Sequence, residues 1–494
     1  MRGPTPTPAA PSVRLARLLA LTPLLATPVA TPTSARAQAA LDTAAIERVL
    51  RQEMRATRSP GVAIAVVRRG RVVYQKGFGV ASVETGEPVT ATTLFRIGST
   101  TKMVTGLTAA LLAHEGKLRL DAPLASYARG LSSSLGRLTL DQLLTHRAGM
   151  INEASGAGPH DDAALATRVR GWGREHVFGP ANDVYSYSGP GYWLAGYAIE
   201  QAGGAFYADI VRAKVLAPLG MTRSTFRPLE AMTWPLAQDH RVRDTTATVL
   251  RPFTDDVTTW ASGSLFSSAS ELARLTIAIM NGGRVDGAQA LPDAAVALMT
   301  QPRAPIPGGE GCRYAYGLSA CVRGGVRTLS HYGFRVGSGS VVTMAPDSQA
   351  AVIVLANRNG GILAGTAAAV MAQLVGEAGA DVRARPDSAA PRAVGSAERF
   401  VGAYANGPDT LHVLARSGGL AYRYGADESP ARLDGADAIV VLDAKGAVVQ
   451  RFMLVAGTAT RQPYLHDGLN AFARVGRPVA PRAAPEPPAR PATP

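Results

Sequence analysis

The sequence predicts an α/β (α+β) protein, an antiparallel sheet flanked by helices with a helical insertion, followed by a small all-β domain. Three observations lead there. Strand-like runs occur early, at 61–67 and 71–74, and return only at 327–330, 339–344 and 350–355. The stretch between, from 118 to 250, carries helical spacing broken by long loops. Beyond residue 400 the texture changes to short strands punctuated by turns such as Ser417-Gly418-Gly419.

In chain order, Arg14 and Arg17 precede the apolar residues 18–21 and 24–26, and small residues lead to Ala35-Arg36-Ala37 and Ala37-Gln38-Ala39. A charged region, a short apolar region and an A-x-A site read as a signal peptide over 1–39, so an exported protein, periplasmic or secreted, is expected. The apolar run is too short to span a bilayer and none follows it, so no stable membrane span is expected. A helix is predicted over 43–56, and the strands 61–67 and 71–74 turn at Arg69-Gly70. Residues 93–97 lead into a helix that begins after Ser99. Further helices are predicted at 139–146, 192–201, 270–280 and 365–374, with a turn at 261–264. The main domain is placed at 40–379 and an Ala/Pro-rich linker at 380–395. A small β-barrel domain is placed at 396–476, with strands at 411–414, 420–423, 438–442 and 448–454, before a Pro/Ala-rich disordered tail at 477–494.

Composition excludes some function classes. The 494 residues carry a formal charge of +14, which invites a nucleic-acid reading. The arginines are spread along the chain, no run forms a basic arm and aromatics are few, so nucleic acid is not expected as a partner. The two cysteines, Cys312 and Cys321, lie close together, and in an exported chain such a pair reads as a disulfide across a hairpin or loop. Metal binding needs more ligands nearby, so neither a metal nor another cofactor is expected.

The chemistry is placed at Ser99 and Lys102. Ser99 stands directly before an apolar helical pattern (Met103, Val104, Leu107, Leu111), and Lys102 at i+3 lies one turn up the same face. A helix start suits a serine cap, and it also suits a nucleophile because the dipole favours negative charge there. The chain has only five lysines (Lys76, Lys102, Lys117, Lys214 and Lys445). Arginine keeps its proton in a protein, whereas a desolvated lysine can lose it, which favours the catalytic reading. Two more stretches stand out: Val184-Tyr185-Ser186-Tyr187-Ser188-Gly189-Pro190-Gly191-Tyr192, and Ser330-His331-Tyr332-Gly333-Phe334 ahead of Gly337-Ser338-Gly339. No G-x-S-x-G occurs and the histidines lack H-x-x-x-H spacing, which argues against a Ser-His-Asp hydrolase and a zinc hydrolase.

Together these stretches resemble the serine β-lactamase and penicillin-binding-protein family, class C branch, which also holds D-aminopeptidases, DD-carboxypeptidases and esterases. Its motifs Ser-x-x-Lys, Tyr-x-Asn and Lys-Thr-Gly or His-x-Gly appear in this order. Leu143-Leu144-Thr145-His146-Arg147-Ala148-Gly149 is similar to the family's Leu-Leu-Thr-His-x-Ser-Gly segment, and Tyr316-Gly317-Leu318 to the strand before the third motif. The resemblance covers roughly 61–374 and implies a β-lactamase/transpeptidase-like fold, with the C-terminal part similar to a lipocalin-like barrel. It implies an acyl-enzyme formed on Ser99, with Lys102 and Tyr187 moving its proton, Tyr185 being the alternative tyrosine. To act as a base, Tyr187 has to be pulled down by positive charge, from Lys102 or from a protonated His331. It also implies substrate binding by His331 and Gly333 and an oxyanion hole from the N–H groups of Ser99 and Phe334. Arg335 is read as a surface residue or a contact for a substrate carboxylate. Two positions depart from the pattern: Gly189 stands where Asn is usual, and His331 where class C β-lactamases carry lysine. The expected function is therefore an exported serine hydrolase cleaving an ester or amide in a small-molecule or peptide substrate. The alternatives are a true class C-type β-lactamase and a catalytically silent binding protein of the same fold.

Overall fold

The computed structural model describes residues 40–153, 156–376 and 396–476. The expected signal peptide, linker and tail lie outside the described residues.

An eight-stranded antiparallel sheet forms the centre of the larger part of the chain. Its order is Arg71–Gly79, Gly61–Arg68, Ala350–Ala356, Ser338–Ala345, Val326–Arg335, Ser319–Arg323, Cys312–Tyr314 and Ala304–Pro305. The two early strands thus join strands from the end of the domain, with Val62 opposite Ala356 and Val67 opposite Ala351. Alternation along Gly61–Arg68 explains why both faces are covered. Val62, Ile64 and Val66 pack with Ile46, Leu50, Val370 and Met371, from the helices Thr43–Thr57 and Ala364–Val375. Ala63, Ala65 and Val67 belong to the larger core with the helices Thr101–His114, Gly189–Gly203 and Ala269–Met280.

Several elements differ from expectation. The helix expected at 139–146 is a single capped turn, Leu140–Leu144, in which Thr139 and Gln142 form a reciprocal capping box. His146 lies beyond it in the left-handed region at φ 57°, so the chain turns away there. The turn at 261–264 is a short helix, Trp260–Gly263. The helix expected at 192–201 starts earlier, at Gly189, where Ser188 accepts the Gly191 N–H and Pro190 occupies the first turn.

The C-terminal part is a closed barrel of eight strands from Gly402–Asn406 to Ala471–Gly476, each paired with its neighbour and the last with the first. Phe400, Tyr404, Val413, Ile439, Phe452 and Leu465 fill its core, as expected for a barrel of this strand number. Four of its strands were not foreseen: Gly402–Asn406, Asp427–Leu433, Pro463–His466 and Ala471–Gly476. They are short, and Asp427–Leu433 opens on Asp-Glu-Ser-Pro, which carries no strand propensity of its own. Barrel closure supplies what the local sequence lacks. The disulfide links Cys312 and Cys321, which face each other across a hairpin of the main sheet.

Candidate active site

Ser99 lies in a 3-10 turn, Gly98–Thr100, that runs into the helix Thr101–His114. Its surroundings are fixed by close approach. A Cβ on Gly333 would fall 1.8 Å from the Ile97 carbonyl oxygen and 2.3 Å from Ser340 Oγ. A Cβ on Gly98, at φ 53°, would fall 2.8 Å from the Phe334 nitrogen. Glycine at both positions therefore lets the Val326–Arg335 strand lie directly against the serine turn. Ser340 Oγ bonds both the Ile97 carbonyl and Thr100 Oγ1, each at 2.7 Å, which ties that turn to the next strand.

Lys102 is buried, and its Nζ lies 3.2 Å from Ser99 Oγ and donates to the Ser262 carbonyl at 2.8 Å. Burial pulls its ammonium down from 10.5 to about 7, because desolvation disfavours the charged form. The ammonium also faces the rings of Tyr187 and Tyr192, at 4.8 and 5.2 Å. Trp193 Nε1 donates to Ser262 Oγ at 2.7 Å and steadies the residue whose carbonyl holds the lysine.

Tyr187 faces Ser99, which favours its ionised form, but burial outweighs this and raises its phenol above the ordinary value. Tyr187 therefore rests as a neutral phenol; the expectation that neighbouring positive charge pulls it down is corrected. The expected contribution of a protonated His331 is corrected too. His331 is buried, and desolvation together with Lys102 pushes it down to about 3. Its Nδ1 faces the Tyr332 carbonyl at 2.7 Å and so carries the hydrogen, leaving Nε2 to accept from the Tyr314 hydroxyl at 2.9 Å. Arg335 is neither on the surface nor open to solvent. It is 7 % exposed and donates to Ser264 Oγ at 3.1 Å and the Thr254 carbonyl at 3.3 Å. Phe334 is 59 % exposed; its backbone lies against Gly98 while its ring reaches toward Gly360.

Ser99, Lys102, Tyr187, His331, Gly333 and Phe334 thus come together, whereas the Tyr185 ring packs beside His146 and Tyr314, 5.8 Å from each. The Tyr185 carbonyl accepts from His466 of the barrel at 2.9 Å. Gly189 donates its N–H to Asn152 Oδ1 at 3.0 Å. Three residues at the site were not singled out in the sequence: Tyr314, Ser262 and His146. His146 accepts the Ser188 N–H on Nδ1 at 3.1 Å, and its ring lies 4.2 Å from that of Tyr187. The similarity of 143–149 to a family segment was the available signal for it.

An open antiparallel sheet with a serine and a buried lysine one turn apart defines a class, and the comparisons place the chain within it. The β-lactamase family model matches residues 46–377, and the chain belongs to that family, whose members are serine hydrolases. Penicillin-binding protein 4 of Amycolatopsis lactamdurans is 28% identical over 334 residues, covering 64% of this chain and 85% of the relative. The unguisins hydrolase ungD' of Aspergillus campestris is 32% identical over 194 residues, 37% of this chain and 36% of the relative, so the match spans about a third of its length. The crystal structure of SurE superimposes with a TM-score of 0.70 at 26% identity, covering 87% of this chain and 99% of that one.

Proposed function

We propose that the protein is an exported serine hydrolase that cleaves an ester or amide through an acyl-enzyme on Ser99, within a hydrolase domain at 40–379. The observation that carries this reading is the buried Lys102, 3.2 Å from Ser99 Oγ and with its ammonium down at about 7. A neutral amine there has a lone pair free to take the serine proton as Ser99 attacks the carbonyl carbon. Tyr187, a neutral phenol beside Ser99, hands a proton on to the leaving group and is reprotonated from the lysine side. The N–H groups of Ser99 and Phe334 serve as donors to the developing oxyanion. His331, neutral and held by Tyr314 and Tyr332, shapes the site without adding charge. The disulfide fits an oxidising compartment, which supports export. The unguisins hydrolase match supports a hydrolase over a penicillin-binding protein that only binds.

The test is turnover of a small activated ester beside a chromogenic cephalosporin, by the protein and by Ser99→Ala. Ester turnover lost in the variant, with little cephalosporin cleavage, is the expected result. Full turnover by Ser99→Ala would remove the acyl-enzyme.

A further inference from the structure

The segment that carries Tyr187 is held from two sides. On one side, His146 accepts the Ser186 N–H on its carbonyl at 2.8 Å and the Ser188 N–H on Nδ1 at 3.1 Å. On the other, the N–H of Tyr187 itself donates to the Leu469 carbonyl of the barrel at 2.9 Å. Successive N–H groups of an extended chain point in opposite directions, so Tyr187 is bracketed by the hydrolase part and the barrel.

The barrel's grip extends back along the segment. Buried Asp183 accepts from the Ala459 N–H at 2.7 Å and the Thr460 N–H at 2.9 Å on one oxygen. Its other oxygen accepts from Thr460 Oγ1 at 2.6 Å and the Tyr464 hydroxyl at 2.7 Å. Ser186 Oγ accepts the Ala471 N–H at 3.1 Å. All these donors lie in the last two barrel strands and the two loops beside them, at 457–462 and 467–470. The barrel core is filled by its own side chains, so its rim is what it offers the rest of the molecule.

We propose that the barrel is a working part of the active site, its Asp467–Asn470 turn and Thr460–Tyr464 clamp setting where the Tyr187 hydroxyl stands relative to Ser99. This rests on Tyr187 as the proton carrier of the proposed mechanism. Leu469 acts through its carbonyl on the tyrosine backbone and is a positioning residue.

The test inserts one glycine between Gly468 and Leu469 in the full-length protein, which moves the Leu469 carbonyl out of register. A control insertion goes between Lys445 and Gly446, in a barrel turn closed only on Asp443. The first insertion is expected to lower kcat for the activated ester more than about tenfold, with KM within about twofold, since it displaces a proton carrier and not a binding group. Its pH–rate profile is expected to change shape. The control is expected to keep kcat within about twofold and the parent profile, which a purely stabilising barrel would not distinguish. Equal losses from both insertions, or no loss from the first, would overturn the proposal. If circular dichroism shows the first insertion unfolded, the near-isosteric Thr460→Val/Tyr464→Phe variant replaces it with the same expected split and the same overturning result. Ser99→Ala is assayed alongside. An inactive Ser99→Ala with a fully active turn insertion removes only the barrel's role, and an active Ser99→Ala removes the mechanism and the proposal together.

Discussion

The Tyr314 hydroxyl donates to His331 Nε2 at 2.9 Å, and with Nδ1 against the Tyr332 carbonyl this fixes the imidazole as one neutral tautomer. Burial and Lys102 push His331 down to about 3. Between about pH 6.5 and pH 3 the unfolded chain binds a proton that the folded site refuses, so this residue makes the fold less stable as pH falls through that window. An NMR titration of the imidazole is expected to show no charging of His331 above pH 5. A midpoint near the ordinary histidine value would disprove this. Tyr314→Phe, which removes a donor to the neutral ring, is expected to move the midpoint upward.

Lys102 supplies the acid limb of the rate profile. With its ammonium at about 7, kcat/KM rises as pH increases through that value, because only the neutral amine accepts the Ser99 proton. The same depression makes the fold gain stability as pH rises from about 7 toward the ordinary lysine value, since the unfolded chain holds the proton longer. Lys102→Arg keeps a cation that does not deprotonate and is expected to lose at least about 100-fold in kcat. Retention of wild-type turnover in Lys102→Arg would rule the lysine out as the base.

Gly333→Ala tests the close approach at the serine turn. Its new methyl would meet the Ile97 carbonyl at 1.8 Å, and a backbone oxygen has nowhere to move without dragging Gly98 and Ser99 with it. The expected cost is about 1–3 kcal/mol in thermal unfolding, together with loss of Ser99 labelling by a fluorophosphonate. Full labelling at wild-type rate would show that the two segments can separate without harm.

Gly189→Asn restores the amide that the family pattern carries. A Cβ there meets the Glu153 carbonyl at 3.4 Å and Asn152 Oδ1 at 3.7 Å, which is ordinary contact, so stability is expected to change by no more than about 0.5 kcal/mol. The restored donor is expected to raise turnover of amides and of a cephalosporin relative to an activated ester. An unchanged amide-to-ester ratio would show that the substrate's amide is not read at this position.

The nucleophile and lysine were legible because their relation is local: they stand three positions apart, where a 3-10 turn runs into a helix. The cysteine pair was legible because only a short hairpin separates it. What holds the lysine was not, since Ser262 lies in the short helix Trp260–Gly263, far along the chain, and only the tertiary fold brings its carbonyl to 2.8 Å. The Tyr314–His331 bond likewise depends on how the strand Cys312–Tyr314 is placed by the sheet. The surface reading of Arg335 fails although the contrary signal lies in the sequence. Along Val326–Arg335 the residues Leu329, His331, Gly333 and Arg335 alternate into the interior, so strand periodicity alone puts the arginine on the face of His331. In the barrel, strands rich in Val, Ile and Leu were read and polar ones were not, because closure rather than propensity makes them strands.

The pairing of Gly61–Arg68 with Ala350–Ala356 also has a consequence in time. During synthesis the first of these strands emerges early, and its inner neighbour is not made until residue 356 has left the ribosome. Through that interval one edge of a strand that is buried from Gly61 to Val67 in the finished protein has no native mate. Pairing these two strands closes a loop over nearly the whole of the hydrolase part, a long-range contact whose closure cost grows with the chain between them. A chain halted before the last strands leaves the backbone edge of this strand unpaired and its Val62, Ile64 and Val66 face only partly covered. Such nascent chains are the ones expected to need a holding chaperone.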